Sequence, residues 1–541
     1  MSRRSMRASV TLVLLTASIS TFSIGSHVSA NESAGNGGRQ SLFADFNGDG
    51  FSDLAVGVPN EDAGNVANAG AVAVIYGSPR GLTAKNDQLI TQNTPGIADV
   101  AEEGDAFSWW LSSSDFNGDG FSDLAAGAGA EHVDGVADAG AVHVIYGSPN
   151  GLTAAGDDFF TQNTSGISDR AEDADCFGCT TGGGDLNGDG YAELLVGAQA
   201  EEVGSAEDAG VVHIIFGSAR GLVAQREQFF SQDTAGVVDR AEEGDNFGWA
   251  FSTGDYGGSR HNDLAVGMPF EDVGNEADAG AVHVFFGSRE GVSFKGDRLW
   301  TQNSPGVRDA AEAGDEFGFT TFAADVVGER HADLVVTAPG EDVGSVVDAG
   351  AVNVIGGSNA GLTGRSGQLW TQNSAGIADQ AEEGDRFGDS VAAADLGKGP
   401  RLDLAVGVDL EDVDNVVDAG AVNVIYGGAR GLTARGDQFW SQNSPGVRDK
   451  AEPPPEDQPG ESFGWLLFAG DFGRSPHADL AITVPGEDVG GFVDAGAANV
   501  LYGSPSGLTA RGDQLWTQNT PGIKDEAEEL DLFGLFVAAP T

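Results

Sequence analysis

Three segments of the chain place oxygen-bearing side chains at the spacing a hard cation needs. They read Asp45-Phe-Asn47-Gly-Asp49-Gly-Phe51-Ser-Asp53, Asp115-Phe-Asn117-Gly-Asp119-Gly-Phe121-Ser-Asp123 and Asp185-Leu-Asn187-Gly-Asp189-Gly-Tyr191-Ala-Glu193. Side-chain oxygens stand at positions 1, 3, 5 and 9, the backbone carbonyl of Phe51, Phe121 or Tyr191 is available at position 7, and a glycine at position 6 permits the sharp turn. That donor set suits Ca2+, at three sites. An EF-hand begins in the same way but needs a bidentate Glu at position 12, where this chain has Val56, Ala126 and Val196. The ninth-position acid is therefore expected to supply that ligand.

Four further loops keep only the first and last acids: Asp255 and Asp263, Asp325 and Asp333, Asp395 and Asp403, Asp471 and Asp479. Basic residues appear between them: Arg260 and His261, Arg330 and His331, Lys398 and Arg401, Arg474 and His477. The expectation is that these loops bind no calcium. A tethered cation, Arg330 in the fifth loop, would neutralise the two acids of its own loop.

The loops are positioned by a repeat. Their first aspartates recur every 70 residues, and the final step is 76 because of a proline-rich insertion around Pro453 to Gly460. Each unit carries four short strand signals, in the second unit Phe107 to Ser114, Asp123 to Ala128, Ala141 to Tyr146 and Asp158 to Asn163. Strand signals flank the acidic loops on both sides, with no amphipathic helix. Radially repeated four-stranded sheets leave few free edges, so the fold class is all-β: a seven-bladed β-propeller of seven ~70-residue repeats, four antiparallel strands per blade.

The units resemble FG-GAP repeats, the type that builds the propeller at the head of integrin α subunits. Phe177-Gly178, Phe247-Gly248, Phe317-Gly318, Phe387-Gly388, Phe463-Gly464 and Phe533-Gly534 match the first element, and Gly57-Val-Pro59, Gly267-Met-Pro269, Thr337-Ala-Pro339 and Thr483-Val-Pro485 match the second. Phe107-Ser108, Gly127-Ala-Gly129, Gly197-Ala-Gln199 and Gly407-Val-Asp409 depart from the pattern. The resemblance implies calcium loops between the first and second strands of a blade and a non-catalytic adhesion or protein-binding role. A glycan-binding propeller, or one associated with hydrolase or lyase chemistry, is the alternative. The first unit lacks an upstream Phe-Gly, while an extra copy ends the chain at Phe533 to Ala539. That copy is expected to complete the first blade as its innermost strand, a slot for which Ser41 to Ala44 compete.

Other repeated residues have blander readings. Acids of the type Glu271-Asp272 to Asp278, and Asp239 with Glu242, Glu243 and Asp245, are expected on a solvated loop face rich in Asx-type turns. His143, His213 and His283, replaced by Asn353, Asn423 and Asn499, sit on a third strand too far from the axis to share a metal, and are expected to make polar contacts between blades. Trp300, Trp370, Trp440 and Trp516 are expected to pack the outer strand rather than stack on sugars. Cys176 and Cys179 read as two small buried residues, with a local disulfide as the other reading.

Composition limits the partners. The chain has 27 basic and 83 acidic residues, a formal charge of −56, which repels phosphate backbones and anionic lipid headgroups and excludes nucleic acid as a partner. Residues 1–30 read as a signal peptide, with Arg3, Arg4 and Arg7 before an apolar stretch and a cleavage site ending Val28-Ser29-Ala30. Ordinary secretion and twin-arginine export both fit. Residues 31–40 are a linker, and 41–541 the propeller. With no later segment long and apolar enough to span a membrane, the expected product is a secreted monomer that meets an extracellular protein or glycan.

Overall fold

A computed structural model of the chain describes residues 28–29, 44–328, 330–453 and 460–540. Among these residues there is no helix, and the strands form seven sheets, each with four antiparallel strands in simple meander order. In the second blade the strands are Phe107–Ser114, Asp123–Ala128, Ala141–Tyr146 and Thr153–Phe160. The fourth therefore begins and ends earlier than its sequence signal suggested. Its Gly-Leu-Thr step enters the strand, and the Thr-Gln-Asn that follows Phe160 leaves it for the next blade.

Burial explains the composition of each strand. The second strands are covered on both faces and buried along their whole length, as in Asp123–Ala128, and the third strands are buried except at their ends, hence their continuous Val, Ile, Leu and Ala. The fourth strand lies at the rim, and its central residues, such as Ala155 and Gly156, are exposed. Phenylalanines at or shortly before the start of the first strands, from Phe107 through Phe177, Phe317 and Phe533, are fully buried between blades. Each is held by a backbone bond to the preceding blade, for example Phe177 N–H to Ala139 O at 2.9 Å. The recurrent Asp-Ala-Gly follows from this contact: Gly140 has φ +85°, and a Cβ there would lie 2.4 Å from the Phe177 carbonyl oxygen.

The ring closes as the extra C-terminal copy suggested. Phe536–Val537 pairs antiparallel with Leu54–Val58 as the innermost strand of the first blade, in the register Val56 with Val537 and Gly57 with Phe536. A side-chain latch closes it at the rim: Gln514 of the last blade donates from Nε2 to Leu82 O of the first at 2.9 Å, as Gln88 does to Leu152 O one blade on. Near the axis, Val28–Ser29 lies parallel to Phe322–Ala323, and Ala539–Pro540 lies parallel to Ser112–Ser113. The remainder of 1–43 and most of the proline-rich insertion, 454–459, lie outside the described residues.

Candidate calcium loops and blade junctions

The second and third complete loops connect first and second strands, while the first leads into Leu54–Val58 of a blade whose innermost strand comes from the C-terminus; the backbones of all three repeat closely. Gly48 and Gly50, Gly118 and Gly120, and Gly188 and Gly190 all have φ between 69° and 91°. The first acid turns inward onto the loop's own amides. Asp45 Oδ1 accepts from Asp49 N–H at 3.1 Å and Oδ2 from Gly50 N–H at 3.0 Å, and Asp115 and Asp185 repeat the pattern. Asn47 and Asn117 cap the fifth residue through Oδ1 at 2.9 Å, while the Asn187 amide instead donates to Glu193 at 2.6 Å. Asp49, Asp119 and Asp189 bond the amides of Phe51, Phe121 and Tyr191.

The ninth-position acids are fully buried. Asp53 accepts from Phe46 N–H at 2.9 Å and Gly77 N–H at 2.8 Å, which ties the loop to the turn after the third strand. Burial first, and then the charges of the first and fifth acids, push Asp53, Asp123 and Glu193 up to about 8. The loops thus gather the predicted residues Asp45, Asn47, Asp49 and Asp53 and their equivalents into three oxygen-rich turns whose acids repel one another. This donor chemistry fits a hard divalent cation. Among the described residues, no three His, Cys, Asp or Glu side chains are already closed into a metal shell.

Adjacent loops are coupled. Asp45 O accepts from Ser122 N–H of the next blade at 3.1 Å, and Asp471 O accepts from Ser52 N–H at 2.8 Å. The seventh residue of one loop roofs the fourth of the loop before it. A Cβ at Gly48 would lie 2.5 Å from the Phe121 ring, and one at Gly118 would lie 2.6 Å from the Tyr191 ring.

This coupling corrects the expected neutralisation of the degenerate loops. Arg330 is exposed and forms no ion pair with Asp325 or Asp333 among the described residues. Basic groups come instead from the following blade: His331 Nδ1 lies 3.4 Å from Asp255 Oδ1, and His477 Nδ1 lies 3.3 Å from Asp395 Oδ1. Arg401 likewise lies against Gly328 of the loop before its own. Lys398 and Arg474 turn away to cover the Tyr426 and Tyr502 rings at 3.8 and 4.1 Å. Burial lowers the His331 pKa, but its bond to Asn359 and the Asp255 charge outweigh that and raise it overall.

A second correction concerns the repeated acids of the opposite face. Asp272 and Asp278 do form the expected exposed turn, closed by Asp278 N–H to Asp272 at 3.0 Å. Glu271 and Asp245 do not stay in solvent; they are only 5% and 2% exposed. Every blade junction buries such a glutamate, and a glutamine of the preceding blade donates to it at 2.6 to 3.0 Å, from Gln92 with Glu131 to Gln518 with Glu61. Burial and the surrounding acids push Glu131 up to about 8 and Glu271 up to about 9.

The third-strand histidines are also placed differently. His143 and His213 contact acids of their own blade, Asp157 at 3.1 Å and Glu227 at 2.6 Å, and those acids reach the preceding blade through Ala98 N–H and Ser168 N–H. Asn423 and Asn499 bridge blades directly, as expected, to Ala378 O and Arg448 O. Trp300, Trp370 and Trp516 are buried on the outer strand, as their packing role requires, while Trp440 is half-buried. Cys176 and Cys179 are joined by a disulfide. The bridge forms because Cys176 precedes the strand in a turn, closed by Cys179 N–H to Cys176 O at 3.0 Å.

One asymmetric cluster escaped the sequence reading. Asp409, in the sixth blade at the place of Pro59 and Pro269, is fully buried and faces Asp389, whose place in the fourth and seventh blades holds Trp249 and Trp465. Arg386 binds Asp389 at 3.2 Å and Glu316 at 2.8 Å. Burial and then Asp389 hold the Asp409 carboxyl well above the usual carboxylate range.

The FG-GAP repeat family model matches residues 37–75, 107–145 and 177–215, the segments that contain the three complete loops. Integrin alpha-PS2 of Drosophila melanogaster is 31% identical over 242 residues, covering 43% of this chain and 15% of that protein. Phosphatidylinositol-glycan-specific phospholipase D of Bos taurus is 33% identical over 158 residues, covering 29% of this chain and 18% of the enzyme. The chain therefore spans less than a fifth of the length of these two relatives. Among solved structures, the exotype rhamnogalacturonan lyase YesX aligns over 86% of this chain and 76% of its own, at 12% identity and a TM-score of 0.39. With its repeated Phe-Gly elements, its matched repeats and its closed ring, the chain is an FG-GAP, integrin α-like seven-bladed β-propeller.

Proposed function

We propose that the chain is a secreted, calcium-binding, non-catalytic module that presents a rigid face to an extracellular protein. The observation that carries this reading is the coincidence of the three complete oxygen-donor loops with the three segments the FG-GAP model matches. Calcium in those loops would join acids that otherwise repel and so stiffen blades already linked by backbone bonds from loop to loop. Successive strands are antiparallel, so the loops between second and third strands lie on the opposite face. There Val347, Val417 and Phe492 of consecutive blades, with Leu530 beside them, are exposed among acids, which suits a partner with apolar and basic groups. Protein is favoured over glycan because Trp300, Trp370 and Trp516 are buried and offer no ring face for a sugar.

The test is an array of extracellular proteins and glycans probed with and without calcium, using wild-type protein and Phe492→Asp. Protein binding that needs calcium and falls at least tenfold in the variant supports the reading. Binding confined to glycans, or indifferent to both calcium and Phe492, would overturn it.

A further inference from the structure

At the junction between the last and first blades, three carboxylates converge on one atom. Gln518 Nε2 lies 2.8 Å from Asp531 Oδ2, 3.0 Å from Glu61 Oε2 and 3.3 Å from Asp525 Oδ2. The amide nitrogen occupies the position a small cation would take, yet it is neutral and has only two hydrogens to give. Among the described residues, none of the ion pairs brings a Lys or Arg to Glu61 or Asp531. Glu61 is 7% exposed and Asp531 is 1% exposed, so water does little to screen their mutual repulsion.

A separate observation points to a ligand. Gln518 is 1% exposed, its amide is seated on the carboxylates, and its Oε1 has no hydrogen-bond partner. The same orphaned oxygen occurs in the equivalent glutamine of all seven junctions, each 1% exposed. An accidental orphan does not recur seven times. Exchange of the amide's oxygen and nitrogen, which are assigned only from their surroundings, would add a fourth oxygen to the carboxylates. Buried orphan acceptors beside crowded anions share one simple complement, a cation with a high demand for oxygen. At the first junction Asp105, fully buried, also has an oxygen without a partner, beside Gln92 and Glu131.

We propose that each blade junction is a divalent-cation site of the calcium class, built from the buried glutamate, the buried acid and the glutamine amide, and separate from the three loops. The ions would bind between blades, on the face opposite the loops, and clamp the ring at every joint. An oxygen-only donor set without histidine or sulfur favours Ca2+ or Mg2+ over transition metals.

Metal content decides the matter, measured by equilibrium dialysis against calcium at 0.15 M NaCl on full-length protein. Three forms are compared: wild type, a loop-disabled variant carrying Asp49→Ala, Asp119→Ala and Asp189→Ala, and a junction variant carrying Glu131→Gln, Glu271→Gln and Glu411→Gln. The proposal expects about ten ions in wild type, about seven in the loop-disabled variant and about seven in the junction variant. Three ions in wild type and none in the loop-disabled protein would overturn the junction sites while leaving the loops intact. Seven in both would retain the junctions and remove the loops. Should either variant fail to fold, wild-type content alone separates ten from three.

Discussion

Replacing Arg386 by Met isolates the energetics of the Asp389–Asp409 cluster. The guanidinium is 20% exposed and holds two carboxylates, Glu316 at 2.8 Å and Asp389 at 3.2 Å, the latter with a fully buried side chain facing Asp409. At such separations each pair is worth about 5–6 kcal/mol before desolvation at an effective dielectric of ~20. Removing one partner of a buried pair typically costs about 3–5 kcal/mol, because the remaining charges stay buried without compensation. Met keeps most of the apolar stem, so the loss reports charge more than packing. The sign with pH follows from Glu316. Burial raises its pKa even with Arg386 beside it, and without Arg386 the folded-state value rises further while the unfolded one is unchanged. A carboxyl with a raised folded pKa loses stability as pH rises, so the deficit of Arg386→Met should be largest near pH 8 and shrink toward pH 5. Urea unfolding in saturating calcium at both pH values gives the difference. A deficit under about 1 kcal/mol at pH 8, or one independent of pH, would refute the reasoning.

Three further outcomes are expected. His331→Ala should lower stability by up to about 1 kcal/mol at pH 5.5, where the imidazolium pairs with Asp255, and less at pH 8, since the raised His331 pKa gives a contribution lost as pH rises; Arg330→Ala should change nothing at either pH, and a larger effect at Arg330 would restore the intra-loop pairing. Phe533→Ala, at a fully buried side chain that leads into the closing strand, should cost about 3–5 kcal/mol in urea unfolding, and a loss under 1 kcal/mol would show that this strand does not hold the ring. The Cys176–Cys179 bridge closes only a four-residue loop, so its reduction, or Cys176→Ser with Cys179→Ser, should cost no more than about 2 kcal/mol without loss of cooperative unfolding; collapse of the third blade in hydrogen exchange would contradict this.

Features that repeat within one blade were legible in the sequence. The 70-residue period, the four strand signals and the surplus Phe533-Gly534 led to the blade count and the ring closure, because local alternation and turn chemistry determine both. The candidate calcium loops were legible for the same reason, since all their donors lie within nine residues. Apart from the bridges made by Asn423 and Asn499, contacts between blades were not. Glu131 looks like a loop acid until ring closure brings Gln92, 39 residues earlier, against it and removes both from water. A basic residue of the fifth loop was expected to serve Asp325 because the two are near in sequence, whereas the blade stacking places His331 on Asp255 of the preceding blade. His143 and Asp157 carried a usable signal, a histidine and an acid 14 residues apart on neighbouring strands, repeated by His213 with Glu227 and His283 with Asp297. Asp409 was visible only as a missing proline, and its partner Asp389 as a missing aromatic residue.

The account rests on calcium in the first three blades, and the anomalous scattering of crystals grown in calcium addresses it directly. The account predicts a peak inside each of the loops Asp45 to Asp53, Asp115 to Asp123 and Asp185 to Glu193, coordinated by the side chains at positions 1, 3, 5 and 9 and the carbonyl of Phe51, Phe121 or Tyr191, with no peak in the loops that begin at Asp255, Asp325, Asp395 and Asp471. Loops that remain empty at saturating calcium, or equal peaks in all seven, would contradict it.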